Sequence, residues 1–364
     1  MSVNVLREDM TLQPLASGVG IVDDALSTES KNAVQNRVVT AALNRVSETT
    51  KQMIINENLL INPDFAINQR GAETIESDGS SAEQNRRYFV DRWMAQSNTY
   101  QTKFKFSQKS ARGGIKGTLL ESSGQNVELS YYFENDYINK FRGKTVTVSF
   151  YVSELVRQGE GTGNANRNNL FLWGKVNGVE RQLDGVVPID KTGYYSKKFT
   201  IPDAELDKIS LQIYFADYRY GSVAGDSMTL DWIKMELGEV ATPFCPPEPA
   251  MELLKCQRYY YRAVGGVYNW NNATPIADYG YLTINVPFPV EMRLAEPNGK
   301  VYTTYPTYQE NKLNNYITGD VIEEIEVHVY SITQQNVGTV ILYGGTYPLQ
   351  GFCSFNIMVD AEIY

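Results

Sequence analysis

Short segments in which apolar and polar residues alternate fill most of the chain after residue 57. In KTVTVSFYVS (144–153), the apolar residues Val146, Val148 and Phe150 alternate with Thr147 and other polar residues. Because successive side chains of a strand point to opposite faces, this period of two places one face in a core and the other toward water. We find no helical period between these segments, so the pattern predicts a mainly β protein built as a sandwich or jelly roll.

Two sets of such segments follow one another along the chain. The first set comprises 88–96, 100–108, 126–134, 144–153, 169–176, 194–201, 210–217 and 227–237. The second set comprises 279–288, 300–305, 323–332, 338–344 and 352–361, and a short helix and a tyrosine-rich strand at MELLKCQRYYYR precede it. A proline-rich run, ATPFCPPEPA (241–250), separates the two sets, as is typical of a domain boundary. We therefore predict a jelly-roll domain over residues 57–244 and a second β-sandwich, a carboxy-terminal knob, over residues 245–364.

The first 56 residues have a different pattern. Residues 1–25 have no sustained period and are predicted to form an extended arm. Within residues 26–56, one helical stripe recurs in steps of four and three, which is narrower than the apolar face of a globular domain and typical of a coiled-coil seam. The seam residues are Gln35, Val39, Ala42, Val46, Thr49 and Met53. A helix of this length is marginally stable alone, so its stability must come from partner helices packed along the seam.

Composition excludes several classes of function. The net charge of −9 argues against a nucleic-acid groove and against a surface that binds anionic lipid. The sequence has no run of about 18 apolar residues, so membrane insertion is not expected. With one histidine, His328, and three cysteines at no metal-ligand spacing, the usual proton shuttles and zinc sites have few residues to use.

Three blocks of the sequence resemble bacteriophage fibre and appendage proteins. STESKNAVQNRVVTAALN (27–44) is similar to a short helix of that family, although Ala33 stands where the family often has proline. NLLINPDFAINQRG (58–71), with FVDRWMAQ and DWIKMELGEVATPF, resembles a jelly-roll module of the carbohydrate-binding kind. ELLKCQRYYYR (252–262) and VPFPVEMRLAEP (286–297) resemble parts of the terminal knob in the same proteins.

The resemblance implies a non-enzymatic virion structural protein, a head or tail fibre assembled in the host cytoplasm. It implies a homotrimer joined along the seam, an arm that docks on capsid or tail proteins, and β domains that adhere to host-surface or environmental glycans. Two alternatives are a glycan depolymerase tailspike and a stand-alone carbohydrate-binding accessory protein. A depolymerase tailspike normally has long β-helix repeats, which this chain lacks, and no pair of acids suggests glycoside hydrolysis. We therefore predict no catalytic residue.

Two groups of aromatic and amide residues in the knob are candidates for glycan binding, because rings stack on the apolar faces of pyranoses and amides hydrogen-bond to hydroxyls. The first group lies in a turn-rich stretch and the second surrounds Pro306: Tyr268, Trp270, Asn271 and Asn272, then Tyr302, Tyr305 and Tyr308. The alternative is that these rings pack against the knob's own sheet or against a neighbouring subunit. In the jelly roll, Trp93 and Trp232 are predicted to lie in the core, and Trp173 lies in an alternating strand.

We expect no cofactor, and the one metal ion that the resemblance suggests is a structural calcium ion. Asp64 and Asp231 stand where related modules often place oxygen ligands for this hard cation. The alternative for Asp64 is that its carboxylate caps the turn after Pro63. Another candidate metal set is Glu324, Glu326 and His328, which alternate along a predicted strand and fit a solvated strand face equally well.

Overall fold

The computed structural model describes fifteen segments of the chain: residues 4–6, 12–14, 56–81, 85–97, 102–111, 113–122, 124–158, 167–269, 281–293, 298–302, 313–315, 321–322, 325–332, 335–343 and 351–362. The chain divides into two units, Met1–Asn56 and Glu57–Tyr364. In the first unit, strands β1 (Asn4–Leu6) and β2 (Leu12–Pro14) pair antiparallel. The predicted seam, from Gln35 to Met53, lies outside the described residues, so the coiled coil stays a prediction.

Two six-stranded antiparallel sheets form the first part of the second unit. In chain order the strands are β3 (Thr74–Ser77), β4 (Arg86–Tyr88), β5 (Met94–Ser97), β6 (Lys103–Ser110), β7 (Gly113–Glu121), β8 (Val127–Tyr132), β9 (Thr145–Val156), β10 (Asn169–Val176), β11 (Val179–Pro188), β12 (Gly193–Thr200), β13 (Leu206–Ala216) and β14 (Ser227–Leu237). Sheet I has the order β11-β10-β13-β8-β5-β4, and sheet II has the order β12-β9-β14-β7-β6-β3. A mainly β, sandwich-like fold is confirmed.

The inner faces of the two sheets share one apolar core. Phe106 of β6 and Phe215 of β13 belong to different sheets, and their ring centroids are 5.0 Å apart, edge to face. Gly117 of β7 leaves room for this pair, because a Cβ at Gly117 would lie 2.4 Å from Phe215. Trp93 is fully buried beside Phe65, 5.0 Å between ring centroids, as the sequence predicted.

Several sequence-based assignments within the sandwich are wrong. Residues 88–96 do not form one strand: the chain turns between β4 and β5, where Trp93 N–H donates to the Val90 carbonyl at 3.0 Å and Arg92 has a φ of 72°. A helix, α1 (Asn135–Phe141), lies between β8 and β9, where no helix was expected. Strands β7 and β11 were also missed, because glycines interrupt the alternation of β7 and β11 is an edge strand with mostly exposed side chains.

Trp232 lies on the outer face of sheet II and not in the core, which corrects the prediction. β14 has irregular register with β9 on either side of Leu230, a β-bulge that inserts an extra residue. The residues that point into the core are therefore Met228 and Leu230 before the bulge and Ile233 and Met235 after it. All four are fully buried. Strict alternation from Leu230 would have placed Trp232 inside.

The carboxy-terminal part of the second unit adds one helix and two further antiparallel sheets. α2 (Pro249–Gln257) begins after Glu248, whose carboxylate accepts from the N–H groups of Ala250 and Met251. The strands are β15 (Tyr260–Asn269), β16 (Tyr281–Pro287), β17 (Asn298–Tyr302), β18 (Leu313–Asn315), β19 (Val321–Ile322), β20 (Ile325–Ile332), β21 (Asn336–Tyr343) and β22 (Gly351–Asp360). One sheet has the order β15-β22-β18-β19, with β17 also paired to β22, and the other has the order β16-β21-β20. Across the fifteen described segments, no helix has the length and apolarity needed to span a membrane.

Buried charges join the end of the chain to the sandwich. Arg92, in the turn between β4 and β5, donates to Glu362 at 2.6 Å, and both side chains are almost fully buried. The Arg92 guanidinium also lies 3.7 Å from the centroid of the Tyr259 ring. Next to this pair, Arg70 donates to Asp91 at 3.1 Å, and burial raises the pKa of Asp91 to about 6. Residues on both sides of the predicted boundary near residue 245 thus share one set of buried contacts.

Candidate functional site

The outward side chains of sheet I form a polar and aromatic surface. In β8, Leu129 and Tyr131 enter the core, so Glu128, Ser130 and Tyr132 point to the opposite side. Strand pairing places the outward residues of neighbouring strands side by side in three rows. The rows are Trp173, Ser210 and Tyr132; then Phe171, Gln212, Ser130, Met94 and Tyr88; then Asn169, Tyr214, Glu128, Gln96 and Arg86. We call these three rows the sheet I outer face.

Hydrogen bonds between side chains form the centre of this face. Gln96 Nε2 donates to the Glu128 carboxylate, to Ser130 Oγ at 3.1 Å and to the Tyr132 hydroxyl at 3.1 Å. Glu128 is 3 % exposed, and this burial raises the pKa of its carboxyl to about 7. At neutral pH both the protonated and the ionised form of this carboxyl are therefore populated, and it can donate or accept a hydrogen bond.

Two buried oxygens at this centre have no hydrogen bond of ordinary geometry among the described residues, although the Tyr214 side chain lies near both. They are Oε2 of Glu128 and Oδ1 of Asn126, the residue before β8. A buried acceptor without a partner costs about 1–3 kcal/mol, and such atoms are uncommon in folded proteins. The arrangement favours a bound group that supplies two donors, such as the hydroxyls of a polyol or ordered water.

Aromatic rings border the polar centre. Phe171 packs edge to face on Tyr214 with 4.9 Å between centroids, and Trp173 lies 6.4 Å from Phe171. Trp173 and Gln212 are partly exposed, whereas the Phe171 and Tyr214 rings are buried. An accessible indole on the same face as an accessible amide, Gln212, and the polar centre is suited to an extended ligand with apolar faces and several hydroxyls.

A second feature is a cavity of about 150 Å³ between the sandwich and α2. Its lining includes Tyr131, Phe133, Tyr137 and Tyr259 together with Glu134. The Glu134 carboxylate already accepts from the Tyr259 hydroxyl and from Arg258. The cavity lining therefore mixes aromatic rings with charged side chains, among them Arg92, Lys255 and Arg258.

The carboxylates of Asp64 and Asp231, the predicted calcium ligands, have different hydrogen-bond partners. The segment around Asp64 does run beside β14, since Ile233 N–H donates to the Pro63 carbonyl at 2.8 Å. Asp231 accepts from Lys109 Nζ at 2.8 Å and from Ser153 Oγ at 2.6 Å.

Asp64 caps its own turn by accepting from Ala66 N–H at 3.4 Å, and burial raises the pKa of its carboxyl. Among the described segments, no group of three or more His, Cys, Asp or Glu side chains is placed to hold a metal ion. The calcium ion stays a prediction.

The other predicted site residues lie mostly outside the described part of the chain. Tyr268 lies in β15, which continues through a stretch that was expected to be turn-rich, and Tyr302 ends β17. Trp270, Asn271, Asn272, Tyr305 and Tyr308 are outside the described residues. The sheet I outer face was not predicted from the sequence. The sequence signal for this face was the polar and aromatic residues on the outward side of three predicted strands, NVELSYYFE, NLFLWGKV and SLQIYFAD.

Comparison with known proteins gives only distant structural likeness. No protein-family model matches the chain, and no curated protein is significantly similar to it. The carbohydrate-binding module CBM4 is 11% identical with a TM-score of 0.29, covering 49% of this chain and 98% of its own. A family 11 carbohydrate-binding module from Clostridium thermocellum, in complex with a mixed-linked tetrasaccharide, is 16% identical with a TM-score of 0.26 (43% and 96%). The enzymatically active domain of bacteriophage CBA120 tailspike protein 4 is 9% identical with a TM-score of 0.27 (40% and 19%). Likeness at these values does not by itself assign a function.

Proposed function

We propose that this chain is a non-enzymatic fibre protein of a phage virion that binds glycans through the sheet I outer face. The observation that carries the glycan-binding part is that one face holds both the partly exposed Trp173 ring and, two rows and two strands away, two buried acceptors with no hydrogen bond of ordinary geometry among the described residues, Glu128 Oε2 and Asn126 Oδ1. An oligosaccharide of several units offers an apolar sugar face to the Trp173 ring and hydroxyls to the polar centre farther along the face. Glycan binding therefore satisfies in one step the two demands that this face makes.

The fibre role rests on the amino-terminal sequence. A seam that includes Val39 and Val46 joins three parallel helices, and its polar layers at Gln35 and Thr49 fix the register. The arm docks on capsid or tail proteins, so the protein is located in the virion. Three copies of a weak glycan site on one particle bind a surface much more strongly than one copy does, because later contacts form at a high effective concentration.

The non-enzymatic assignment is supported by the carboxyl content of the face. Glycoside hydrolysis normally uses two carboxyls that flank the scissile bond. The three rows of the sheet I outer face hold one carboxyl, that of Glu128. A depolymerase is the second candidate, and release of reducing ends from host polysaccharide by the purified chain would favour it over adhesion.

The direct test is glycan-array binding by the full chain and by Trp173→Ala. We expect the wild-type chain to bind a defined set of glycans and Trp173→Ala to lose about tenfold in affinity, while Trp173→Phe retains most of it. The matched control is Tyr137→Ala, which removes a partly exposed ring from α1 and should bind as the wild type does. Equal binding by Trp173→Ala and the wild type would exclude this face as the site.

The assembly is tested separately by light scattering of the full chain. We expect the wild type to have three times the chain mass. Val39→Asp/Val46→Asp should be monomeric, because charges at seam positions cannot be buried between helices. A monomeric wild type at micromolar concentration would remove the trimer and leave the glycan test unaffected.

A further inference from the structure

Four aromatic rings cross the outer face of sheet II, on the side of the sandwich opposite the sheet I outer face. Tyr194 of β12 pairs with Tyr151 of β9, and Tyr151 pairs with Trp232 of β14. The Phe244 ring stacks on Trp232 at 4.5 Å and 6°. Tyr194 is 54 % exposed and Tyr151 is 39 % exposed, so both rings are accessible from solvent. We call these four residues the aromatic strip.

A buried ion pair fixes the far end of the strip. Lys234 and Glu236, two positions apart on β14, are 2 % and 0 % exposed, with 3.3 Å between Lys234 Nζ and Glu236 Oε2. Lys234 Nζ donates to Thr242 Oγ1 at 2.5 Å, and Thr242 N–H donates to Glu236 at 2.8 Å. The start of the proline-rich run is thereby held against sheet II, and this holds Phe244 against Trp232.

Charged and polar residues border the strip on both sides. On one side, Lys109 pairs with Asp231 at 2.8 Å; farther along, Lys116 pairs with Glu154 at 3.0 Å. On the other side, Ser149 is the next outward residue of β9 after Tyr151, and it pairs with Ser196 of β12. The apolar surface is therefore one side chain wide along the strands and three strands plus Phe244 long across them.

We propose that the aromatic strip is a second ligand site, which binds one linear, uncharged glycan chain laid across the strands. The Tyr194 and Trp232 ring centroids lie 6.1 Å apart, so the strip is a continuous aromatic surface on which the sugar units of an extended chain can stack. The bordering cations already have carboxylate partners, so the site carries little net charge to attract an anionic ligand.

A protein partner fits this surface less well. Stable protein interfaces bury about 800 Å² on each partner around a continuous apolar core. A strip one ring wide between ion pairs does not provide such a core. The proposal does not rest on the sheet I outer face: the two sites lie on opposite sheets, and either one can bind without the other.

The test is titration calorimetry of the full chain with uncharged linear hexasaccharides, namely cellohexaose, laminarihexaose and chitohexaose. We expect at least one to bind, and Tyr194→Ala and Tyr151→Ala each to weaken that binding about tenfold. Tyr194→Phe should retain it, because the ring face carries the contact. Tyr137→Ala is the control for loss of an equally exposed tyrosine, at 38 %.

Three results would overturn the strip as a glycan site. The first is that none of the three hexasaccharides binds the wild-type chain at millimolar concentration. The second is binding that Trp173→Ala removes and Tyr194→Ala leaves unchanged, which would locate all binding on sheet I and leave the proposed function standing. The third is self-association of the chain that Tyr194→Ala abolishes, which would make the strip an interface between copies. Binding that only the strip variants weaken would instead support the strip and contradict the sheet I site.

Discussion

The two outer faces of the sandwich are built from strands of the same kind and differ in what they expose. On sheet I, the outward residues Glu128, Ser130 and Tyr132 are more than nine-tenths buried, and polar oxygens remain unpaired. On sheet II, Tyr194 and Tyr151 are exposed, and the buried charges beyond them, Lys234 and Glu236, form an ion pair.

Alternation alone therefore does not predict whether an outward residue is buried or exposed. Alternation selects which side chains leave the core, but the elements that pass over each face decide their burial. Thr147 and Ser149 of β9, expected on a wet face, are buried, and Thr147 Oγ1 donates to the Gly238 carbonyl at 2.8 Å. A site with unpaired acceptors arises on one sheet and a stacking surface on the other for this reason.

The largest change in stability is expected at the Lys234–Glu236 ion pair, where the proline-rich run crosses sheet II. Glu236→Leu leaves the Lys234 ammonium buried without its carboxylate, which should lower the free energy of unfolding by about 3–5 kcal/mol in urea titrations. The double variant Lys234→Met/Glu236→Leu removes both charges and should recover most of that loss. If the single and double variants are equally destabilised, the unpaired Lys234 charge is not the cause of the lost stability.

The next largest effect is a pH dependence of the free energy of unfolding, which Glu128 on sheet I should cause. The folded state raises the pKa of Glu128 from 4.5 to about 7, so between these values unfolding releases a proton and becomes easier as pH rises. This carboxyl should therefore reduce stability by about 3 kcal/mol from pH 4.5 to 7, with no further change above that.

The measurement is urea unfolding of the wild type and Glu128→Gln across this pH range. The variant should lack this part of the slope, so the difference between the two proteins isolates Glu128. Asp91 titrates with the same sign up to about pH 6 and remains in both proteins. Parallel curves for the two proteins would mean that the Glu128 carboxyl is not held in a desolvated environment.

A smaller effect distinguishes the inside of the sandwich from the outside. Trp232→Ala removes a partly exposed ring that stacks on Phe244 and should cost about 1–2 kcal/mol in thermal or urea unfolding. Its comparison variant, Trp93→Ala, removes a fully buried ring and should cost about 3–5 kcal/mol. Equal costs would place Trp232 in a core environment after all.

The smallest effect tests whether the exposed end of the strip has only a binding role. Tyr194→Ala should change the free energy of unfolding by less than about 0.5 kcal/mol, because the ring is largely solvent-exposed on an edge strand. The same purified sample is then used in the glycan titration. A large loss of stability would mean that the Tyr194 ring supports the sheet, and reduced binding could not then be assigned to lost stacking.

The strands with clear alternation were the most predictable part of the fold. The segments 144–153, 169–176 and 227–237 correspond to β9, β10 and β14. The turn at Asp91 and Arg92 was not predictable, because distant residues hold it: Asp91 accepts from Gln69 and Arg70, and Arg92 donates to Glu362. Local pattern contains no information on partners that are between 21 and 270 residues away in the chain.

The candidate sites were less predictable than the strands. The sequence predicts glycan binding by aromatic residues that are close together in the chain, such as Tyr268 and Trp270. The two surfaces argued from the structure instead combine single residues from several strands, as Tyr194, Tyr151 and Trp232 do. Which residues meet in such a set depends on strand order and register. The alternation of residues within one strand specifies neither.

The amino-acid sequence by itself determined that this is a mainly β chain, where most strands lie, and that a narrow helical stripe precedes them. It did so because strand and helix periods are local properties of neighbouring residues. The tertiary structure alone decided that Trp232 faces outward, that Glu128 is desolvated and that Phe244 caps the aromatic strip. Each of these depends on a bulge, a strand order or a crossing segment, and those are set by contacts between residues far apart in the chain.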